Sequence, residues 1–301
     1  MPISSDTRDR LTVLNRFGTD PGSLRADTYI PKNFPKNGPL VVVLHGSTQS
    51  AESYNYGSGW SALADELGIA LLFPGQRRTN NAIGSFNWFK LGDSHRGGGE
   101  PLSIRHMIRQ VVDDHAIDPS RVFITGLSSG GAMAHVMLAT YPEVFAGGAI
   151  IAGLPYRSAN TVMQALFRMK GYGCPSDRKL DALVRGASKF TGRWPTISVW
   201  HGGLDTTVDS SNADSIVRQW QKIHKVEGPL TRVEKVDGFP RQVWCDADGR
   251  AVIEEYIIGG MGHGTPISAG GDEGLGEEGK YMLEVGISST RHIADFWGLT
   301  Q

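Results

Sequence analysis

The feature that most restricts the fold of this chain is a tight glycine-rich turn between a short apolar run and a helical pattern. The run is Val122–Thr125, the turn is GLSSG at 126–130, and the helical pattern is Gly131–Tyr141. Because glycine has no Cβ, the flanking glycines let the backbone pass close to its neighbours while the serine between them is carried through a sharp bend. This order of strand, Gly-x-Ser-x-Gly and helix predicts that Ser128 stands above the end of a sheet as a nucleophile.

The turn motif alone has limited specificity. It has three fixed positions, and the chain contains 39 glycines in 301 residues, so a purely structural turn would also produce it. The interpretation of Ser128 as a nucleophile therefore depends on a base and an acid later in the chain.

Apolar runs alternate with helical patterns along the chain. Leu40–His45 is a continuous run rich in β-branched residues, as in a strand that is buried on both faces of a parallel sheet. Further strands are predicted at Leu24–Ile30, Ile69–Phe73, Ala146–Ala152, Thr196–His201, Thr231–Val236, Gln242–Cys245 and Val252–Ile258. Helices are predicted before a glycine cap at Gly68, at Ile104–His115, around Arg218–Val226 and at Leu283–Phe296. This βαβ rhythm predicts an α/β fold with a mostly parallel, doubly wound sheet.

Two stretches interrupt that rhythm. Gln76–Glu100 is long and irregular and carries Trp88 and Phe89, and such loops in compact domains are usually functional. Leu154–Arg193 shows helical patterns without an obvious strand, which predicts a helical cap or lid insertion at 154–193. We expect residues 1–301 to form a single domain that contains this insertion.

An acid and a base follow later strands. Asp205 comes after the predicted strand Thr196–His201, and His263 comes after Val252–Ile258. An aspartate in a glycine-rich turn is often only a turn former, and Asp209 is a competitor, but Asp205 lies nearer the strand end. Open α/β sheets place their sites at the carboxyl ends of strands. The chain order Ser128, Asp205, His263 is the one expected of an α/β-hydrolase triad.

An oxyanion hole requires two backbone N–H donors. The first is predicted to be that of Ser129, the residue after the nucleophile. The second is predicted to be that of Ser47, in the loop after Leu40–His45, with Thr48 as the alternative. His45 and His201 each end a predicted strand, and we expect them to orient the adjacent loops.

Charge and hydropathy exclude several classes of partner. The net charge is −1, which gives no electrostatic basis for binding nucleic acid or an anionic membrane surface. No run approaches the roughly 18 apolar residues of a membrane helix, and the N-terminus lacks the apolar segment of a signal peptide. The expected location is therefore cytoplasmic for the sequence as given, or secreted if a leader has been removed.

No metal or other cofactor is predicted. Cys174 and Cys245 show no ligand spacing, so we expect two free thiols. Asp113, Asp114 and His115 are adjacent but would point in different directions on one helix. The acidic stretch Gly270–Gly279 lacks the spacing of a calcium loop.

Several motifs taken together resemble the poly(3-hydroxybutyrate) depolymerase-like esterases, which are related to feruloyl and acetylxylan esterases. They are LHGSTQSA at 44–51, FNWF at 86–89, RGGGEPLSIRHMI at 96–108, RVFITGLSSGGAM at 121–133, HGGLDTTV at 201–208 and GGMGHGTP at 259–266. The resemblance covers roughly residues 20–300. It implies an α/β-hydrolase fold without a metal and the triad Ser128, Asp205 and His263. It also implies oxyanion donors at Ser47 and Ser129, and a place for Trp88 in the acyl or polymer site.

The chain departs from that family at two cysteine positions. Members of the family carry cysteine where this chain has Ser47 and Phe86. The joint absence suggests that a disulfide bracing the site is missing, in line with a reducing compartment. The 154–193 stretch also looks longer than is typical of the family.

The expected activity is that of a serine carboxylic-ester hydrolase that forms an acyl-enzyme. The substrate would be a small ester, a polyester, or an ester derived from a plant polymer, with Trp88, Phe89 and Thr48 as candidate contacts. An acyltransferase and a serine peptidase of the same fold are the alternatives. A binding module without activity is disfavoured, because such modules usually lack a triad residue.

Overall fold

A computed structural model describes residues 11–228, 230–271 and 274–300, which include a ten-stranded sheet and a separate two-stranded one. The strands are β1 (Thr12–Val13), β2 (Arg25–Tyr29), β3 (Leu40–Leu44), β4 (Ala70–Gly75), β5 (Val122–Leu127), β6 (Gly147–Ile151), β7 (Thr196–Gly202), β8 (Arg232–Val236), β9 (Phe239–Cys245), β10 (Ala251–Ile258), β11 (Thr265–Ile267) and β12 (Met282–Glu284). The α-helices are α1 (Ala51–Ser58), α2 (Trp60–Leu67), α3 (Gly99–His115), α4 (Ser129–Thr140), α5 (Val162–Met169), α6 (Asp177–Arg185), α7 (Ser211–His224) and α8 (Ser289–Phe296). None of the helices in the described ranges is both long enough and apolar enough to cross a membrane.

The large sheet has the order β1-β2-β4-β3-β5-β6-β7-β10-β9-β8. Its six central strands, β4 to β10 in this order, are parallel, and antiparallel strands flank them on both sides. Alternate residues of β3 point to opposite faces: Val42 belongs to one hydrophobic core and Val43 to the other. The first core includes residues of α3, α4 and α7, and the second includes residues of α1, α2 and α8. The predicted doubly wound, mostly parallel α/β fold is confirmed.

The structure corrects three predicted helix boundaries. The helix predicted before Gly68 is two helices, because Gly59 between them has a left-handed φ of 77°. Helix α3 begins at Gly99, five residues before the predicted start. The helix predicted over Leu283–Phe296 was wrong in its first half, because β12 pairs with β11 and the helix begins only after Ser288, whose side chain caps it. The glycine cap at Gly68 is confirmed.

The 154–193 insertion contains the two helices α5 and α6 between β6 and β7. The C-terminal turn of α5 is bound to the loop that follows β7. Asp209 donates its backbone N–H to the Met169 carbonyl at 2.7 Å, and Lys170 Nζ donates to the Thr206 carbonyl at 2.5 Å. The insertion is therefore anchored to a loop at the carboxyl end of a central strand, and its function as a lid stays a prediction.

The junction between β5 and α4 leaves no space for side chains. A Cβ atom at Gly130 would overlap the carbonyl oxygens of Leu44 and His45. The first turn of α4 therefore lies directly against the end of β3, as the motif predicts.

A buried acid organises the 76–100 loop. Glu100 is 1% exposed and accepts hydrogen bonds from Gln76 Nε2 at 2.5 Å, Asn87 Nδ2 at 2.7 Å and the Asn87 backbone N–H at 3.0 Å. Burial and the neighbouring Asp93 raise the pKa of Glu100 to about 8, against the opposing effect of these donors. The protonated acid is thus the favoured form at neutral pH.

We expect Gly130→Ala to destabilise the protein, although alanine is the better helix former. Overlap in a packed interior typically costs about 1–3 kcal/mol, and here it involves backbone carbonyls that cannot rotate away. Gly260→Ala is the matched control, since a Cβ there meets no atom within 4 Å. Urea unfolding of both variants tests this, and equal midpoints would contradict the packing described for Gly130.

We expect Glu100 to make stability depend on pH. Because its pKa rises from an ordinary 4.5 to about 8 on folding, the folded state binds more protons than the unfolded state between these values. The free energy of unfolding should therefore fall as pH rises through that window, by at most about 1.4 kcal/mol per pH unit.

Glu100→Gln should flatten this dependence, whereas Glu227→Gln, at an exposed position, should leave it as in the wild type. Denaturant titrations at several pH values give the comparison. Parallel curves for the wild type and Glu100→Gln would show that Glu100 does not titrate in this range.

Candidate active site

Ser128 has the backbone of a strained elbow. Its φ of 56° and ψ of −117° are unusual for a residue with a side chain, and such strain costs about 1–3 kcal/mol and is concentrated at functional sites. Hydrogen bonds maintain it: the Ser128 N–H donates to the Ile151 carbonyl at 2.8 Å, and its carbonyl accepts from the Ala132 N–H at 2.8 Å. Ser128 thus lies between the end of β5 and the start of α4, as predicted.

The Asp205 carboxylate is buried and accepts hydrogen bonds on both oxygens. Its Oδ1 accepts the backbone N–H groups of Thr207 and Val208, each at 2.8 Å. Its Oδ2 lies 2.6 Å from His263 Nδ1. Burial raises the pKa of Asp205, but hydrogen bonds from His201 and His263 outweigh burial and hold the pKa well below its usual range. Asp205 is therefore ionised at neutral pH.

The ionised aspartate determines the tautomer of His263. An ionised carboxylate can only accept a hydrogen bond, so the His263 Nδ1 must carry the proton that is donated to Oδ2. The neutral ring then has a lone pair on Nε2, the form a general base requires. The edge of the ring also contacts Tyr281, with ring centroids 5.9 Å apart.

The loops that carry Asp205 and His263 are joined through their backbones. Gly203 donates its N–H to the Ile258 carbonyl, and Leu204 donates to the Met261 carbonyl, each at 2.9 Å. Both loops follow adjacent parallel strands, β7 and β10. The distance between the acid and the base is therefore maintained by the sheet.

Asp209, the competitor for the acid, is directed elsewhere. Its carboxylate accepts the Ser211 N–H at 3.0 Å at the start of α7. The buried His201 lies beside Asp205, with its Nε2 2.8 Å from the Val208 carbonyl and 3.3 Å from Asp205 Oδ2. Because Nε2 faces a carbonyl, it must carry a proton. His201 thus contacts the loop that carries Asp205, and its orienting role stays a prediction.

The structure joins Asp205 to His263 but does not join His263 to Ser128. Within the described residues, no hydrogen bond links Ser128 Oγ to His263 Nε2. The two residues follow parallel strands of one sheet, and β6 and β7 separate them. Catalytic hydrogen bonds often form only when substrate is present. The missing hydrogen bond therefore does not exclude Ser128 or His263 from catalysis.

Two backbone donors are free near Ser128. Among the loop and cap hydrogen bonds of the described chain, neither the Ser47 N–H nor the Ser129 N–H has an acceptor. The Thr48 N–H is already bound to the Ile83 carbonyl at 2.8 Å, which favours Ser47 over this alternative. The Ser47 hydroxyl donates to the Ser129 hydroxyl at 3.1 Å, so the loops carrying the two donors are in direct contact.

His45 is hydrogen-bonded to two loops. Its Nδ1–H donates to the Gly46 carbonyl at 2.8 Å, and its Nε2 accepts the Gln76 N–H at 3.1 Å. Burial lowers the pKa of His45, against the opposing effect of the Gly46 carbonyl. A neutral His45 therefore joins the Ser47 loop to the start of the 76–100 loop.

The aromatic candidates in the 76–100 loop are largely covered. Trp88 is 4% exposed and packs edge-on against the half-buried Phe89, with ring centroids 5.4 Å apart. Phe86 is fully buried next to His45. This burial favours a packing role, and contact of Trp88 or Phe89 with substrate stays a prediction. Thr48 is exposed and lines a cavity of about 250 Å³ together with His45 and Gln76.

Both cysteines are free thiols, as predicted. Among residues 11–228, 230–271 and 274–300, no group of three or more His, Cys, Asp and Glu side chains is arranged to hold a metal ion. In the acidic stretch Gly270–Gly279, Asp272 and Glu273 lie outside the described residues.

Two buried ionisable residues were not anticipated. Glu100 has no recognisable sequence signal, since it lies in the first turn of a helix like many exposed glutamates. Arg168 is 1% exposed, and its Nε donates to Asn212 Oδ1 at 2.7 Å. This contact attaches α5 to the first turn of α7, and only the tertiary structure reveals it.

Comparisons with known proteins identify relatives of this chain. A family model described as Esterase PHB depolymerase matches residues 26–229. A poly(3-hydroxyalkanoate) depolymerase C from Paucimonas lemoignei is 42% identical over 301 residues, covering 99% of this chain and 72% of the relative. A feruloyl esterase B from Talaromyces funiculosus is 29% identical, covering 85% of this chain and 73% of the relative.

A solved structure shows the same fold. The acetyl xylan esterase from Aspergillus awamori superimposes with a TM-score of 0.80 at 21% identity, covering 96% of this chain and 99% of that one. Taken together, these matches show that the chain belongs to the Esterase PHB depolymerase family, has the α/β-hydrolase fold and is a carboxylic ester hydrolase.

Proposed function

We propose that ester hydrolysis proceeds through Ser128 as nucleophile, His263 as general base and Asp205 as the acid that orients the base. The observation that carries the proposal is the 2.6 Å contact between His263 Nδ1 and a buried, ionised Asp205. Ser128 is supported as the partner by its strained elbow.

The proposed reaction has two halves. His263 Nε2 takes the proton of Ser128 as Oγ attacks the ester carbonyl, and the Asp205 carboxylate stabilises the resulting imidazolium. The imidazolium then protonates the alcohol as the C–O bond breaks, which leaves an acyl-enzyme on Ser128. A water molecule, deprotonated by His263, attacks that acyl group and releases the carboxylic acid and the free serine.

The negative charge that develops on the carbonyl oxygen must be stabilised by hydrogen-bond donors that are already positioned to face it. The N–H groups of Ser47 and Ser129 are proposed for this role, because neither has an acceptor among the loop and cap hydrogen bonds of the described residues and the two side chains are in contact. Preorganised donors of this kind typically contribute about 10²–10³ in turnover each. Since they are backbone groups, the Ser47 side chain itself should matter much less.

We propose a hydroxyalkanoate ester as the substrate. The relative named poly(3-hydroxyalkanoate) depolymerase C is 42% identical and matches 99% of the chain. The relatives named feruloyl esterase B and acetylxylan esterase are 27% to 30% identical. Hydrolysis rates on hydroxybutyrate oligomers, methyl ferulate and acetylated xylan distinguish these substrate classes. Turnover of only methyl ferulate and acetylated xylan would contradict the proposal.

We expect Ser128→Ala to abolish hydrolysis of a short p-nitrophenyl ester, because it removes the attacking oxygen. The variant should remain folded, since alanine removes only the hydroxyl. Circular dichroism and thermal unfolding serve as the folding controls. Substantial turnover by a folded Ser128→Ala protein would rule out Ser128 as the nucleophile.

We expect Asp205→Asn to lower kcat by about 10⁴-fold, because an amide in this position favours the wrong tautomer of His263. Asp209→Asn is the matched control on the same loop and should change kcat by no more than about twofold. Steady-state kinetics on one ester gives both values. If Asp209→Asn lost more activity than Asp205→Asn, the assignment of the acid would be wrong.

A further inference from the structure

A cavity of about 460 Å³ lies in the insertion, between α5 and α6. Its polar walls include Arg157, Gln164 and Lys179, and its apolar walls include Phe167, Tyr172 and Leu183. No Asp or Glu lines it, and none of Ser128, Asp205 and His263 does. We call it the insertion cavity.

The two cations of the insertion cavity lack counter-charges. Within the described part of the chain, neither Arg157 nor Lys179 forms an ion pair, and Arg157 Nε is buried without a hydrogen-bond partner. The acids on α6 are already paired with other groups: Asp177 with Arg218 at 3.1 Å, and Asp181 with Arg185 at 2.8 Å. The described lining thus carries two positive side chains and no acid, so the cavity is electrostatically suited to an anion.

The backbone holds Arg157 in a strained conformation. It is the third residue of a turn in which the Ser158 N–H donates to the Pro155 carbonyl at 3.2 Å, and its φ is 51°. Glycine or asparagine is usual at a position with positive φ. The preceding Tyr156 fixes the turn, because its N–H donates to Gln219 and its hydroxyl donates to the Ser94 carbonyl. Strain of this kind is typical of binding residues.

Exposed apolar side chains continue from the insertion cavity along α5. Phe167 is 56% exposed and Tyr172 is 67% exposed, and three further apolar side chains of α5 are also exposed: Val162, Met163 and Leu166. The end of α5 contacts the loop after β7 through Lys170 and the Thr206 carbonyl. On that loop, Leu204 is 65% exposed next to Asp205.

We propose that the insertion cavity binds the free carboxylate end of an aliphatic hydroxyalkanoate oligomer, whose chain lies on the exposed face of α5. The inference rests on the function proposed above. Such an oligomer is uncharged along its length and carries one carboxylate at its end. Arginine and lysine recognise carboxylates through charge-assisted hydrogen bonds, and the exposed α5 side chains match the aliphatic body.

The chemistry of hydrolysis supplies this ligand. Each cut converts an ester carbonyl into a new carboxylate, so every shortened chain carries the group that the cavity recognises. Binding this group would favour successive cuts on short oligomers over attack within a long chain.

The test compares a 3-hydroxybutyrate trimer with the same trimer capped as a methyl ester at its carboxyl end. The ratio of their kcat/KM values measures recognition of the carboxylate and cancels any general change in catalysis. In the wild type we expect kcat/KM to be about 10 times higher for the free acid than for the methyl ester, because one charge-assisted hydrogen bond contributes a factor of this size. The difference should arise from a lower KM for the free acid. The ratio should fall when salt is raised from about 0.05 M to about 0.5 M.

Two variants remove the cations, and one serves as a control. Lys179→Gln and Arg157→Gly should each lower the ratio several-fold toward 1, and glycine also accommodates the positive φ at 157 without strain. Arg178→Gln removes the same charge from the neighbouring position of α6, outside the cavity lining, and should leave the ratio as in the wild type.

The outcomes separate this inference from the proposed catalytic mechanism. A wild-type ratio near 1, a ratio that neither cavity variant changes, or an equal loss in Arg178→Gln would overturn the carboxylate site while leaving Ser128 as nucleophile. Turnover by folded Ser128→Ala would instead overturn the mechanism. Inhibition by free 3-hydroxybutyrate that is relieved in Lys179→Gln would show that the acid product uses the same cavity, and would support carboxylate recognition.

Discussion

The contact between Asp205 and His263 is the interaction on which the proposed chemistry depends. A carboxylate in a closed interior would ordinarily take up a proton, but here two backbone N–H groups and two histidines keep it charged. The charge in turn determines which nitrogen of His263 carries hydrogen. The sheet maintains this arrangement, because the two loops follow adjacent parallel strands and exchange backbone hydrogen bonds.

Much of the fold was predictable because its strands are apolar and its turns use glycine. The β-branched run of β3 and the glycine cap at Gly68 each reflect a local rule, and both are confirmed. Where a local pattern was ambiguous, prediction was wrong: Leu283 and Glu284 were assigned to the start of a helix but belong to β12, which pairs with β11. Pairing of that kind depends on residues far apart in sequence, so periodicity cannot reveal it.

Some residues of the candidate site could likewise be predicted from the sequence, and others could not. Ser128, Asp205 and His263 could be identified because each follows a strand, and the carboxyl ends of parallel strands share one edge of a sheet. Glu100 and Arg168 could not, because their importance comes from being enclosed by other parts of the chain. The aromatic residues are a separate case: a tryptophan in a functional loop suggests substrate contact, Trp88 is packed into the core, and its contact with substrate stays a prediction.

The attachment of α5 to the loop after β7 has a consequence for how members of this family diversify. Met169, Lys170 and Arg168 all bond to the segment that directly follows Asp205. Exchanging the insertion for that of a relative would therefore also alter the support of Asp205, the proposed acid. An engineered chimera would accordingly have to carry the insertion and the loop after β7 together.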